Sequence, residues 1–489
     1  MAAAWNTGCP TEHKGTAMRP PSLTALSAFL FLYSASSVFA EEHLIRDVHV
    51  VDLASGAVTS GQDIKMRAGS IVEVGATPLS APGATIVEGG GGYVIPGLWD
   101  SHVHVFSSAA EPAAAFPLYI LNGVTGIRDM GGLLPLDEMK RIAAAVEAGD
   151  AVGPRVILSG AWVDASPGSW PGMFLADSAE QARSVVQQIK VEGWAAVKSY
   201  SMLNPEVYLA LAAEAEAAGL PLVGHIPEAV SLPTAIKSGH DAVEHFGRVT
   251  KACSPQEDAM LERVLKSLEA SDPRSAMIEE MAGHNRIVLD TWNEVLCRSL
   301  LASMVKADVH VIPTLIVSDF YTGKRPEDLE ERMATLPAAV RESWSQPDFR
   351  LEAMTEELRS IAEETIALDW RTFRMAHAVG VRILAGSDAS FANPFIFHGY
   401  SLLDELDRYV AAGITPREAL YTATVAPAEF LELAGETGSI AEGMRADLVI
   451  LASNPLDDLK VLRHPVAVVV NGRVFDRKAL DDMRQQLGK

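Results

Sequence analysis

Two histidines two residues apart, His102 and His104, close the apolar run PGLWDSHVHV at residues 96–105. Successive side chains of a strand point to opposite faces, so the two imidazoles project the same way. Paired imidazoles suit a metal ion, and they equally suit a solvated strand edge. Four further residues end apolar runs in the same manner: Lys198 in WAAVK, His225 in LPLVGHIPE, His245 in AVEHFG and Asp388 in AGSDAS. Each has an ordinary use as well. His225 could bond a core carbonyl, His245 could pair with a carboxylate beside Glu244, and Asp388 could cap a helix. A lysine drawn inward by an apolar strand needs a salt bridge, or else burial leaves its amine neutral. A neutral amine can take up carbon dioxide as a carbamate, an anion able to bridge two cations. Tyr200, two residues beyond Lys198, faces the same side, where it either packs or donates to an oxyanion. His398, in FHGYS, follows the last of these runs and is a candidate substrate contact.

The elements that would position these side chains alternate between short apolar strands and helices, the pattern of a parallel α/β fold. Eight candidate strands span residues 97–105, 123–130, 154–162, 194–200, 220–226, 241–246, 308–315 and 381–388. Several of the intervening helices stop at Gly. Eight strand–helix units predict a (β/α)8 TIM barrel over residues 96–437, with the six residues gathered at the C-terminal mouth, where such barrels build their sites. Glu-rich amphipathic helices interrupt the pattern at about 253–370 and read as an insertion able to form lids or substrate walls. Short Val- and Ile-rich segments with Gly turns lie at both ends. They predict a small β-sandwich domain composed of residues 41–95 plus 438–489.

A formal charge of −23 opposes binding to nucleic acid or to an anionic membrane surface. No zinc-finger spacing, phosphate loop or dinucleotide fingerprint is present. Residues 1–40 read as a signal-peptide region: Arg19, an apolar stretch at 23–33, and an end at Val38-Phe39-Ala40 that is small at the last position, after which cleavage is expected. The apolar stretch is too short for a stable membrane anchor. Export to a periplasm or beyond follows as an expectation, and there Cys253 and Cys297 could pair or remain buried thiols. Homo-oligomer formation stays open.

Taken together, the motifs resemble the amidohydrolase superfamily, in its binuclear class with a carboxylated lysine. VIPGLWDSHVH, VKSY, VGHIPE, AVEHFG and AGSDA match its ligand strands, and GSIAEGMRADLVILASNPL matches a later landmark. The imidazolonepropionase-related and Xaa-Pro dipeptidase-like members are the nearest in pattern. The resemblance implies two divalent ions, zinc first, and carbon dioxide or bicarbonate for the lysine. It implies that His102, His104 and Asp388 hold the more buried ion, that His225 and His245 hold the more exposed one, and that carboxylated Lys198 bridges them with a hydroxide. Asp388 would then move a proton to the departing nitrogen, because an amine leaves poorly unless protonated. The implied activity is cleavage of an amide bond in a dipeptide or N-acyl amino acid. The alternatives are a cyclic amide, lactone or carbamate of xenobiotic or toxin type, and a non-catalytic binding protein.

Overall fold

The computed structural model of the chain describes residues 42–348, 351 and 354–488, so the expected signal region lies outside the described residues. Four strands open the chain: β1 (Glu42–Val51), β2 (Val58–Arg67), β3 (Ser70–Ala76) and β4 (Thr85–Pro96). The parallel strands follow as β5 (Leu98–Val103), β6 (Val124–Asp129), β7 (Arg155–Leu158), β8 (Ala161–Asp164), β9 (Phe174–Leu175), β10 (Val197–Ser199), β11 (Leu222–Gly224), β12 (His240–Glu244), β13 (His310–Ile312) and β14 (Arg382–Ile383). Three strands return at the end, β15 (Leu448–Leu451), β16 (Ala467–Val470) and β17 (Arg473–Asp476). The two ends of the chain share one seven-stranded sheet in the order β17-β16-β15-β4-β1-β2-β3. Its alternating apolar residues, among them Ile45, Val48, Ile64, Val94, Leu448 and Val469, form a core of their own. Each such fully buried side chain contributes about 1.5–3 kcal/mol.

The middle of the chain forms two parallel sheets, β5-β6-β7 and β14-β13-β12-β11-β10-β8-β9. β5 and β6 are buried at every position, as strands covered on both faces must be. The expected third strand, 154–162, is split. β7 pairs with β6, and β8 pairs with β10. Ser159 and Gly160 make the break. A Cβ on Gly160 would lie 1.9 Å from the Gly131 nitrogen, so only glycine permits this approach. Backbone bonds bridge this break, Ser159 N–H to Asp129 O and Ala195 N–H to Leu158 O, both at 2.9 Å. A second set joins β5 to the chain after β14: Ser101 N–H to Ala385 O, Asp388 N–H to His102 O and His104 N–H to Ala389 O, at 2.8–2.9 Å.

Helices follow the strands with ordinary stop and start chemistry. The Ala179–Glu192 helix is capped by the Ser178 hydroxyl and ends at Gly193 with φ +73°. The Glu-rich stretch folds as helices, including Glu257–Ser267, Pro273–Met281, His284–Thr291, Glu294–Lys306 and Glu356–Val379. Cys253 and Cys297 are joined by a disulfide that ties the end of the Gly247–Ala252 helix to the Glu294–Lys306 helix.

Candidate metal centre

His102 belongs to β5 and His104 follows it, and the alternation of the strand brings both rings to one side. His102 Nδ1 lies 2.6 Å from Glu244 Oε2, and His104 Nδ1 lies 2.7 Å from Gly131 O. A carboxylate and a carbonyl only accept, so both Nδ1 atoms carry the proton and both Nε2 atoms present lone pairs. Those two Nε2 atoms are 3.3 Å apart, and Asp388 Oδ1 lies 3.5 Å from one and 3.4 Å from the other. One ligand atom from each of these three residues falls within 4.8 Å of the others. Three acceptors aimed at one point repel each other unless a cation stands between them. The donor set therefore fits a divalent metal such as zinc, with its outer nitrogens already oriented.

The remaining predicted residues gather around this triad. The His245 ring lies 4.9 Å from the His102 ring and 4.8 Å from the His225 ring, centre to centre. His245 Nδ1 meets the Thr314 hydroxyl at 2.8 Å, whereas buried His225 Nδ1 has no hydrogen-bond partner among the described residues. Backbone bonds from His225 N–H to Ser199 O and from His245 N–H to Ile312 O seat both at the ends of neighbouring strands. Gly224 precedes His225 at φ +107°, and a Cβ there would lie 2.7 Å from Lys198 Cγ, so glycine lets the strand close on the lysine. His245 and Asp388 themselves have φ of +65° and +60°. Non-glycine residues in this region cost about 1–3 kcal/mol each and persist where the surroundings impose them.

Lys198 is 1% exposed. Its amine donates to Met130 O at 2.9 Å, and the Glu244, Asp388 and Asp129 carboxylates act on it through space. Burial lowers its pKa to about 8. Burial also holds His102, His104 and His225 well below the usual imidazole value, reinforced by the positive charge of Lys198 and by neighbouring imidazoles. His245 falls to about 3 for the same reasons of burial and Lys198. Four imidazoles are thus neutral and ready to ligate at physiological pH. The Tyr200 hydroxyl accepts from Trp170 Nε1 at 2.9 Å, and its ring lies 4.3 Å from that of His225. Burial raises the tyrosine pKa, so the hydroxyl keeps a proton to donate.

His104, Lys198, Tyr200, His225, His245 and Asp388 all line one cavity of about 310 Å³, a size suited to a small ligand. Met277, Ile278 and Met281 of the Pro273–Met281 helix, together with Trp370, give it an apolar wall, while Arg248, Lys251 and Arg274 bring cations. The helical stretch at 253–370 therefore supplies part of the cavity wall.

His398 is elsewhere. It is fully buried, it does not line the cavity, and both ring nitrogens are engaged, by the Tyr119 hydroxyl at 2.7 Å and Glu111 Oε1 at 2.9 Å. That geometry leaves it no atom for a substrate, contrary to expectation. The pairing of His245 with Glu244 also fails, because Glu244 turns to His102 and to the buried Arg128, 2.5 Å away. Sequence reading missed Arg128 and Glu244 as supports. Two buried strand carboxylates were missed as well. Asp100 accepts from Ser387 N–H and its hydroxyl, and Asp129 accepts from Val105 and Gly131 N–H. Burial raises both pKa values to about 7. Charged residues inside apolar strands were the available signal.

Strand-end imidazoles and a carboxylate above parallel sheets make a scaffold that suits a divalent metal. The chain belongs to the Amidohydrolase family, whose model matches residues 93–475, and so to a class of hydrolases acting on carbon–nitrogen bonds. Ochratoxinase from Aspergillus niger is 22% identical over 434 residues, covering 77% of this chain and 73% of the relative. Among solved structures, a putative prolidase from Bifidobacterium longum superposes with a TM-score of 0.64 at 23% identity, covering 91% of this chain and 100% of its own. Bottromycin amidohydrolase gives 0.67 at 24% identity, covering 90% of this chain and 88% of its own.

Proposed function

We propose that this chain is an exported hydrolase with two divalent ions, zinc by preference, that cleaves the amide bond of a dipeptide or N-acyl amino acid. The observation that carries this reading is the convergence of two lone-pair-bearing Nε2 atoms and Asp388 Oδ1 at 3.3–3.5 Å on a cavity that Lys198, His225 and His245 also line. The fold reading that goes with it is a closed (β/α)8 barrel at 96–437 joined to a composite β domain, 41–95 plus 438–489. It is supported by the backbone bonds between β5 and the chain after β14. Export is supported by the disulfide, which suits an oxidising compartment.

His102, His104 and Asp388 would hold the more buried ion and His225 and His245 the more exposed one. Lys198 would join them after its neutral amine adds carbon dioxide and loses a proton. Ions bound there supply Lewis acidity and a water acidic enough to act as nucleophile at neutral pH. Asp388 takes a proton from the attacking water as the carbon–oxygen bond forms. It returns that proton to the nitrogen as the carbon–nitrogen bond breaks. Tyr200 donates its hydroxyl proton in a hydrogen bond to the oxygen of the tetrahedral intermediate, a kind of contact worth about 10²–10³-fold in rate. The apolar wall of Met277, Ile278, Met281 and Trp370 suits a hydrocarbon side chain. The cations Arg248, Lys251 and Arg274 suit a free carboxylate, although all three already have partners, Glu228 for Lys251 and Glu257 for Arg248 among them.

A second reading, hydrolysis of a larger toxin or natural-product amide, draws on the likeness to proteins named ochratoxinase and bottromycin amidohydrolase. Matched substrates separate the two: N-acyl amino acids, their carboxamides, dipeptides and bulky aryl amides, assayed with zinc and bicarbonate. Turnover of free-carboxylate substrates well above their carboxamides supports the first reading, and preference for bulky aryl amides supports the second. No amide cleavage by zinc-loaded protein refutes both.

A further inference from the structure

We propose that Glu111 is a positioning residue that clamps together the two loops carrying His104 and Asp388, and so sets the affinity of the more buried metal position. This rests on the metal-site reading above. Glu111 opens the Glu111–Leu121 helix, is 0% exposed, and does not line the cavity. Its Oε2 accepts from the Ser107 hydroxyl, three residues after His104. Its Oε1 accepts from Phe391 N–H at 2.6 Å, three residues after Asp388. One carboxylate thus ties together both loops that bring His104 Nε2 and Asp388 Oδ1 to 3.4 Å.

A third donor fixes the carboxylate itself. His398 Nε2–H donates to Oε1 at 2.9 Å, and His398 Nδ1 accepts the Tyr119 hydroxyl at 2.7 Å. Tyr119 and Glu111 lie on the same helix, so His398 is held between two points of one rigid element. This gives the imidazole that failed as a substrate contact a different task. The Asp388 loop needs such a tether because Asp388 itself sits at φ +60°, a conformation its own backbone does not favour. Asn393 braces the same loop from the other side, its side-chain N–H₂ donating to Asp388 O at 2.9 Å.

Zinc affinity of the metal-free full chain, read by competition with a chromophoric chelator and without substrate, tests the clamp. Glu111→Ala is expected to weaken the tighter site about 10–100-fold, the usual effect of losing an outer support. Turnover at saturating zinc should recover to within a few-fold of the parent. Glu111→Gln keeps an acceptor for Phe391 and His398 and should weaken zinc binding less than Glu111→Ala does. If Glu111→Ala does not fold, Ser107→Ala and Glu111→Gln carry the test, each expected to weaken zinc by about 3–10-fold. A lowered melting temperature with an unmoved zinc curve in these variants overturns the clamp. A parent protein that binds no zinc overturns the metal-site reading itself, so the two failures are distinguishable.

Discussion

His102 and His104 each have the outer ring nitrogen held by a dedicated acceptor, Glu244 and Gly131 O respectively. Across the cluster, His225 Nδ1 has no partner among the described residues and His245 leans on the Thr314 hydroxyl, a group that can donate or accept. On the first side, the tautomer and ring direction are fixed before any ion arrives. On the second, they are fixed less firmly, and the remaining charge must come from Lys198, an uncharged amine or a cation unless it is carboxylated. The contrast teaches that the two positions should differ in affinity and in order of filling. On the proposed reading the triad would bind first, and the pair would depend on the lysine chemistry.

The largest way to stress that comparison is Asp388→Asn. It removes the shuttle for the proton and should lower turnover about 10³-fold, while zinc content falls far less, because an amide oxygen still ligates. Metal analysis beside steady-state kinetics reads this, and wild-type turnover would remove the proton-transfer role. Next is Lys198→Ala, which should empty the weaker position while leaving the triad loaded. The expected rate loss is about 100-fold, equivalent to about 3 kcal/mol of lost charge stabilisation, with partial rescue by short carboxylic acids. Loss of both ions together would contradict the asymmetry. Glu244→Gln should then weaken chiefly the tighter position, about 10–100-fold in zinc affinity, since of the proposed ligands Glu244 supports His102, while its other partner is Arg128.

The smallest effect concerns acid stability of the metal-free protein. His245 titrates at about 3 when folded, against about 6.5 in the unfolded chain. Between these values the unfolded chain binds the extra proton. The folded state is therefore favoured above pH 6.5 and loses that contribution as pH falls toward 3. His245→Asn should flatten this acid limb by about 1–2 kcal/mol between pH 7 and pH 4.5, with the partial exposure of the ring discounted. Denaturant unfolding of chelator-treated protein measures it, and an unchanged limb would mean the ring is not held neutral.

Much of this was legible in the sequence because each proposed ligand sits where an apolar run stops. The run ends placed His102, His104, Lys198, His225, His245 and Asp388 around one cluster. The split at Ser159 and Gly160 was not legible, since it depends on the backbone of Gly131 pressing against Gly160. Nor was β14, regular only over Arg382–Ile383, although the chain beyond it still bonds to β5. Glu244 and Arg128 escaped because a partner 116 residues away leaves no local pattern. His398 misled for the complementary reason: its position after the last strand suggested substrate, while burial against Tyr119 and Glu111 is a tertiary fact.

The most direct test is anomalous diffraction at the zinc edge from crystals of the full chain grown with zinc and bicarbonate. The account predicts one strong peak among His102, His104 and Asp388 and a second between His225 and His245, with density extending from Lys198 Nζ between them. No anomalous peak among His102, His104 and Asp388, in crystals where zinc binds elsewhere, would contradict it.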